Sequence, residues 1–139
     1  MSNVRPYPKF CANIKRAACV ALLVTTFAVT ADNIHNQLFY PVDRIFAENR
    51  ECSQFAEAIE LGDVAYISKV KEIASIINCQ GLLRLTPLYV AMRSDKKKLF
   101  SYLLSNGADP NIEFESAGSV MIFAAENEDL FWLKECLLN

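Results

Sequence analysis

The stretch TPLYVAMRSDKKKLFSYLLSNGADPN, Thr86 to Asn111, decides how the rest of the 139-residue chain is read. Thr86 is a good helix N-cap, and Pro87 stands where a first helical residue has no use for its N–H. Leu88, Val90 and Ala91 begin a short helix, and Ala91 is small enough to let a second helix approach closely. Leu99, Tyr102, Leu103 and Leu104 recur at three- and four-residue spacing, which predicts a second helix with one apolar face. Ser105-Asn106-Gly107 stops that helix, with Gly107 suited to the left-handed position after it. Asp109, Pro110 and Asn111 are turn formers that lead into a hairpin-like loop.

The pattern recurs at a spacing of 33 residues. Thr86 maps forward onto Ser119, which opens SVMIFAAENEDLFWLKECLLN with Ala124 and Ala125 at the paired small positions. It maps backward onto Ser53, which opens SQFAEAIELGDVAYISKV with Ala58 and Gly62 in register. In period and motif the stretch resembles an ankyrin repeat. The resemblance covers residues 53–139, about three-fifths of the chain. It implies an all-α solenoid of about three helix-turn-helix repeats, 53–85, 86–118 and an incomplete 119–139. The predicted helix pairs are 53–61 with 63–77, 87–94 with 97–105, and 120–127 with 129–138. Tyr89 replaces the family's usual histidine, Ile122 takes the same place in the third repeat, and Val120 replaces proline. The first repeat has Ala74, Ser75 and Ile76 where Gly-Ala-Asp is expected, with Asn78 in register. Its second helix is therefore expected to run on to Ile77.

Ahead of the repeats lie two different segments. Arg5, Lys9, Lys15 and Arg16 precede the uncharged 15-residue run AACVALLVTTFAVTA, Ala17 to Ala31, and every acidic residue lies at or beyond Asp32. A basic front, an apolar run and small residues at its end read as a secretory signal over 1–31, with cleavage after Val29-Thr30-Ala31. An uncleaved anchor in the inner membrane is the alternative, although a bilayer core wants about 20 apolar residues. Residues 32–52 carry no repeat motif. There Tyr40-Pro41 breaks the chain and Asp43 is expected to cap a helix presenting Ile45 and Phe46, so that the segment shields the end of the first repeat.

Without residues 1–31 the chain keeps all 16 acidic and ten of its 14 basic residues, a net charge of about −6. Such a balance argues against nucleic acid as a partner, because phosphate contacts need clustered Lys and Arg. The basic cluster Lys96-Lys97-Lys98 falls between the two helices of the middle repeat and reads as a solvated turn. Cys52, Cys79 and Cys136 remain beyond the signal, an odd number that leaves at least one free thiol. Cys136 takes the place of a core leucine. The positions of Cys52 and Cys79 allow a bridge without requiring one.

Catalysis has little to stand on. His35 is the single histidine, and the sequence offers no Cys-His cluster, phosphate loop or nucleophile–base pair, so neither an enzyme nor a metal or cofactor site is expected. The pairs Glu113/Glu115 and Glu126/Glu128 read as surface charge. What remains is recognition of another protein. The resemblance places the contact strip on loop tips and first helices: Leu82, Leu83, Leu85, Arg93 and Ser94 from the middle repeat, Glu115, Ser116, Glu126 and Asn127 from the third, and Glu60 from the first. Phe114 joins them as a second apolar tip. Leu82 and Leu83 stand out because an apolar loop tip implies something that covers it; folding back onto the neighbouring loop or the N-terminal cap is the alternative.

The signal segment, AIELGD in the first repeat, TPL with GADPN in the second and GSVMIFAAENED in the third together resemble a group of bacterial exported ankyrin-repeat proteins. Several of these are encoded beside type VI secretion phospholipase effectors and are thought to act as their immunity proteins. The resemblance implies a periplasmic protein that binds a lipase-type effector and meets the membrane only if its N-terminal segment stays uncleaved. Other exported ankyrin proteins are linked to oxidative-stress defence, so a scaffold for another protein partner, or a shortened repeat array, stands as the alternative.

Overall fold

The computed structural model describes residues 40–115 and 118–139. Residues 1–31, read above as a signal, His35 and Ser116 lie outside the described residues. Within them, eight α-helices form: α1 Val42–Ile45, α2 Arg50–Leu61, α3 Val64–Ile67, α4 Ile73–Ile76, α5 Pro87–Arg93, α6 Lys97–Ser105, α7 Val120–Glu126 and α8 Leu130–Leu138. A short 3-10 turn, Leu82–Arg84, lies between α4 and α5. No strand forms among the described residues; a single antiparallel bridge joins Phe114 to Gly118.

The middle repeat follows the sequence reading closely. The ring of Pro87 restricts Thr86 to extended backbone (φ −112°, ψ 161°), and the Thr86 hydroxyl accepts from the Tyr89 N–H at 3.4 Å. Ser119 repeats this cap for α7, accepting from the Ile122 N–H at 3.4 Å. At the end of α6, Gly107 takes φ 93°, its N–H bonds the Leu104 carbonyl, and the Ala108 N–H bonds the Leu103 carbonyl, both at 3.0 Å. This is a Schellman close, which a left-handed glycine permits. The buried face of α6 is Leu99, Phe100, Leu103 and Leu104, whereas Tyr102, expected on that face, is 38% exposed.

The first repeat departs from expectation at both of its helices. Its first helix begins at Arg50, one turn ahead of Ser53, because the Asn49 side chain accepts from the Cys52 N–H at 3.1 Å. No proline follows Ser53 to force it out of helical backbone, and its hydroxyl instead donates to Glu57 at 3.0 Å. The single second helix predicted over 63–77 is two four-residue helices, α3 and α4, separated by a turn. Apolar residues fall at Val64, Ile67, Val70, Ile73 and Ile76, a strict spacing of three. In a continuous α-helix each such step slips about 60° around the axis, so one face cannot hold them all. Breaking the helix keeps Ile67 and Ile77 in the core. The N-terminal segment forms α1 as expected in place, but Pro41, not Asp43, starts it, and Val42, Ile45 and Phe46 are buried.

The helices stack in two rows. α2, α5 and α7 touch in succession, α6 packs on α5, α8 packs on both α7 and α6, and α1 lies against α2. Rings stitch the rows together: Phe100 meets Trp132 edge-on at 4.9 Å, joining α6 to α8. Asn78 ties the first repeat to the second, its amide donating to the Gly107 carbonyl at 2.9 Å and its carbonyl accepting from the Asp109 N–H at 2.8 Å. On the outer row the Lys97 ammonium pairs with Asp129 at 2.5 Å and lies 5.0 Å from the Phe131 ring centroid. Lys97 is therefore a partly exposed tether between α6 and α8, not a freely solvated turn residue. Cys52 and Cys79 are joined as a disulfide, while Cys136 is a buried free thiol whose pKa is pushed up to about 11 by burial.

Candidate protein-binding surface

The tip between the first and middle repeats is built by unusual backbone. Gly81 sits where a side chain would run into the Ile45 carbonyl, so only glycine lets α1 lie this close. Leu83 and Arg84 follow at φ 59° and 61°, the left-handed region that side chains rarely adopt. The turn is pinned by the Gly81 N–H to the Leu85 carbonyl at 2.9 Å and by the Arg84 guanidinium to the Gln80 side chain at 2.9 Å. The next tip reaches across to it: the Glu115 N–H donates to the Leu83 carbonyl at 3.1 Å.

This backbone separates the two leucines that the sequence pairs. Leu82 is 45% exposed, whereas Leu83 turns back and packs against the core. Three other residues of the expected strip are buried and cannot offer their side chains. Leu85 is wholly inside. Arg93 is buried because its guanidinium donates to the Tyr40 carbonyl at 2.8 Å and to Glu60 at 3.1 Å, tying the middle repeat to the first and to the N-terminal segment. Phe114 closes an aromatic cluster, edge-on to Tyr89 at 5.3 Å and stacked on Phe123 at 6.0 Å. Tyr89, standing where the family has a histidine, thus anchors the loop by ring packing.

All seven residues of α5 are buried, so the middle repeat exposes no inner-helix face. Of the expected strip, Leu82 remains exposed at one tip, Glu115 at the next, and Glu126 with the half-buried Asn127 at the end of α7; Arg84 is exposed beside Leu82. Ser94, also half-buried, lies at the end of α5, and Glu60 sits partly exposed on Arg93. Arg84 was not among the expected contacts; its place in LLRL between Gly81 and Thr86 is the signal that could have found it. Among the described residues no cluster of His, Cys, Asp or Glu comes together to hold a metal ion, and no helix is long and apolar enough to cross a membrane.

Stacked antiparallel helix pairs with projecting tips define an all-α repeat solenoid, a class that recognises other macromolecules on extended surfaces. Within it, residues 84–113 match the family model of the ankyrin repeat. The chain carries an ankyrin repeat, and such repeats are generally non-catalytic protein-interaction modules. No match was found among curated proteins or among solved structures.

Proposed function

We propose that this protein is exported and acts in the periplasm by binding and neutralising a secreted lipase-type effector, with the Leu82 tip as the apolar anchor of the contact. The observation that carries the choice of surface is the exposed Leu82 side chain on a loop fixed by four neighbours: Gly81 against α1, the Gly81–Leu85 bond, the Arg84–Gln80 bond and the Glu115 bond to Leu83. An apolar side chain held rigidly in water loses little further freedom when a partner covers it, which is the profile of an interface anchor. Arg84, Glu115 and Glu126 supply a polar rim. The effector assignment rests on the motif resemblance in the repeats, and export rests on the basic front and apolar run of residues 1–31.

The test is survival of cells challenged with a periplasm-directed lipase. Cells making the full chain should survive, whereas cells making Leu82→Glu, or the chain without residues 1–31, should not. Circular dichroism should show Leu82→Glu folded like the parent. Protection that persists without residues 1–31 would overturn the periplasmic site of action. A folded Leu82→Glu protein that protects as well as the parent would overturn the choice of tip.

A further inference from the structure

The Cys52–Cys79 disulfide closes a loop across a sequence separation of 27, from the buried face of α2 to the end of the α3–α4 segment. Inside that loop α3 buries Ile67 alone, and α4 buries no residue fully. Each is four residues long, far below the length at which a helix sustains itself in water. Immediately after Cys79 comes the Leu82 tip, whose Leu83 and Arg84 occupy left-handed backbone. The segment thus combines weak helices, a disfavoured turn pinned by the packing of Gly81 and by single hydrogen bonds, and one covalent tie to the buried wall of α2, where Cys52 is wholly enclosed.

We propose that this disulfide is a redox latch on the Leu82 tip. Oxidised, it holds residues 79–85 against α2 and α1; reduced, it releases the tip and the α3–α4 segment while the middle and third repeats keep their packing. Cys79 is the point of entry, because it is partly exposed whereas Cys52 is not. A dithiol reductant attacks the Cys79 sulfur through its thiolate, the S–S bond breaks, and Cys52 leaves as a thiolate. The second thiolate of the reductant then displaces Cys79 and closes a cyclic disulfide. Two electrons pass from the dithiol to the cystine, and each cysteine sulfur takes up one proton. The free thiol Cys136 lies in the last helix and stays protonated at neutral pH, so it takes no part.

Limited trypsin digestion of the full chain, with and without dithiothreitol, reads the latch site by site. Arg84 reports the tip, Lys69 and Lys71 report the α3–α4 turn, and Lys98 and Lys134 report α6 and α8. Reduction should speed cleavage after Arg84, Lys69 and Lys71 by about tenfold or more, with Lys98 and Lys134 unchanged, since cleavage follows the population of the locally opened state. A Cys52→Ser/Cys79→Ser variant should cut like the reduced parent and ignore the reductant, which separates this bond from Cys11 and Cys19. Equal cleavage after Arg84 in the two states would overturn the latch. Acceleration at all five sites together would overturn it too, because the disulfide would then be a staple for the whole fold.

Discussion

The middle and first repeats share one 33-residue period, yet only the middle one forms an unbroken helix pair. In α6 the apolar residues fall at Leu99, Phe100, Leu103 and Leu104, pairs one turn apart that stay on one side of a 3.6-residue helix. In the corresponding part of the first repeat they come every third residue, and the helix breaks into α3 and α4. The middle repeat also ends on a Schellman glycine, whereas the first has Ala74 at that position. Its connection is held instead by Asn78 bonding across to Gly107 and Asp109, and by the disulfide. A repeat can therefore keep its place in the stack by borrowed contacts when its own helix pattern fails.

A second contrast sets the middle repeat against the third. Leu104 and Leu137 occupy equivalent positions, yet Leu104 is 5% exposed and Leu137 is 69% exposed. Leu104→Ala should therefore cost about 2–5 kcal/mol in chemical denaturation, as for a buried leucine truncated in a packed core. Leu137→Ala should stay within about 0.5 kcal/mol. Equal costs would show that the outer face of α8 is covered in solution. In the first repeat, replacing both Cys52 and Cys79 by alanine should lower the free energy of opening that repeat, read from hydrogen exchange of its amides, by about 3–4 kcal/mol, the loop-closure contribution for cysteines 27 positions apart. No loss would mean that the broken helices hold without the tie.

Gly107→Val should cost about 1–2 kcal/mol. No atom lies within 4 Å of the added Cβ, so the penalty is backbone strain alone at φ 93°. If Gly107→Ala and Gly107→Val proved neutral, the clean closure of α6 would not rest on the left-handed cap. The smallest effect belongs to Lys97→Ala, since Lys97 and Asp129 are 43% and 46% exposed and exposed pairs contribute little. Its hydrogen bond with Lys97, helped by the Phe131 N–H, holds the Asp129 carboxyl below its ordinary 3.8, so that contribution is present above 3.8 and fades as pH falls. The same bond raises the Lys97 ammonium above its ordinary 10.5, so its contribution is complete below 10.5 and fades as pH rises through the raised value. Denaturation midpoints of parent and variant, compared between pH 3 and 7, should differ slightly at neutral pH and converge in acid. A gap that widens on acidification would contradict the pairing.

Local chemistry made the middle repeat and the start of the third legible from sequence. The Thr86-Pro87 start, the Ser119 start and the Gly107 stop each depend on a few adjacent residues. The fate of the contact strip depends on partners far along the chain. Arg93 is drawn inward by Glu60, 33 residues away, and by the Tyr40 carbonyl. Phe114 is buried by rings from two helices, and Leu83 by a left-handed turn that no leucine announces. The broken helix was visible in the spacing of Val64, Ile67, Val70 and Ile73. The expectation of one helix running to Ile77 rests instead on Ala74, Ser75 and Ile76 standing where the Gly-Ala-Asp stop would be.

The most direct test of recognition at the tips is hydrogen exchange of the full chain, free and mixed with the proposed lipase-type effector. Slowed exchange should be confined to the amides of residues 81–85 and 113–115 and the end of α7, with α6 and α8 unchanged. Slowing on α6 and α8 with none at the Leu82 tip would place recognition on the opposite side of the solenoid and contradict the account.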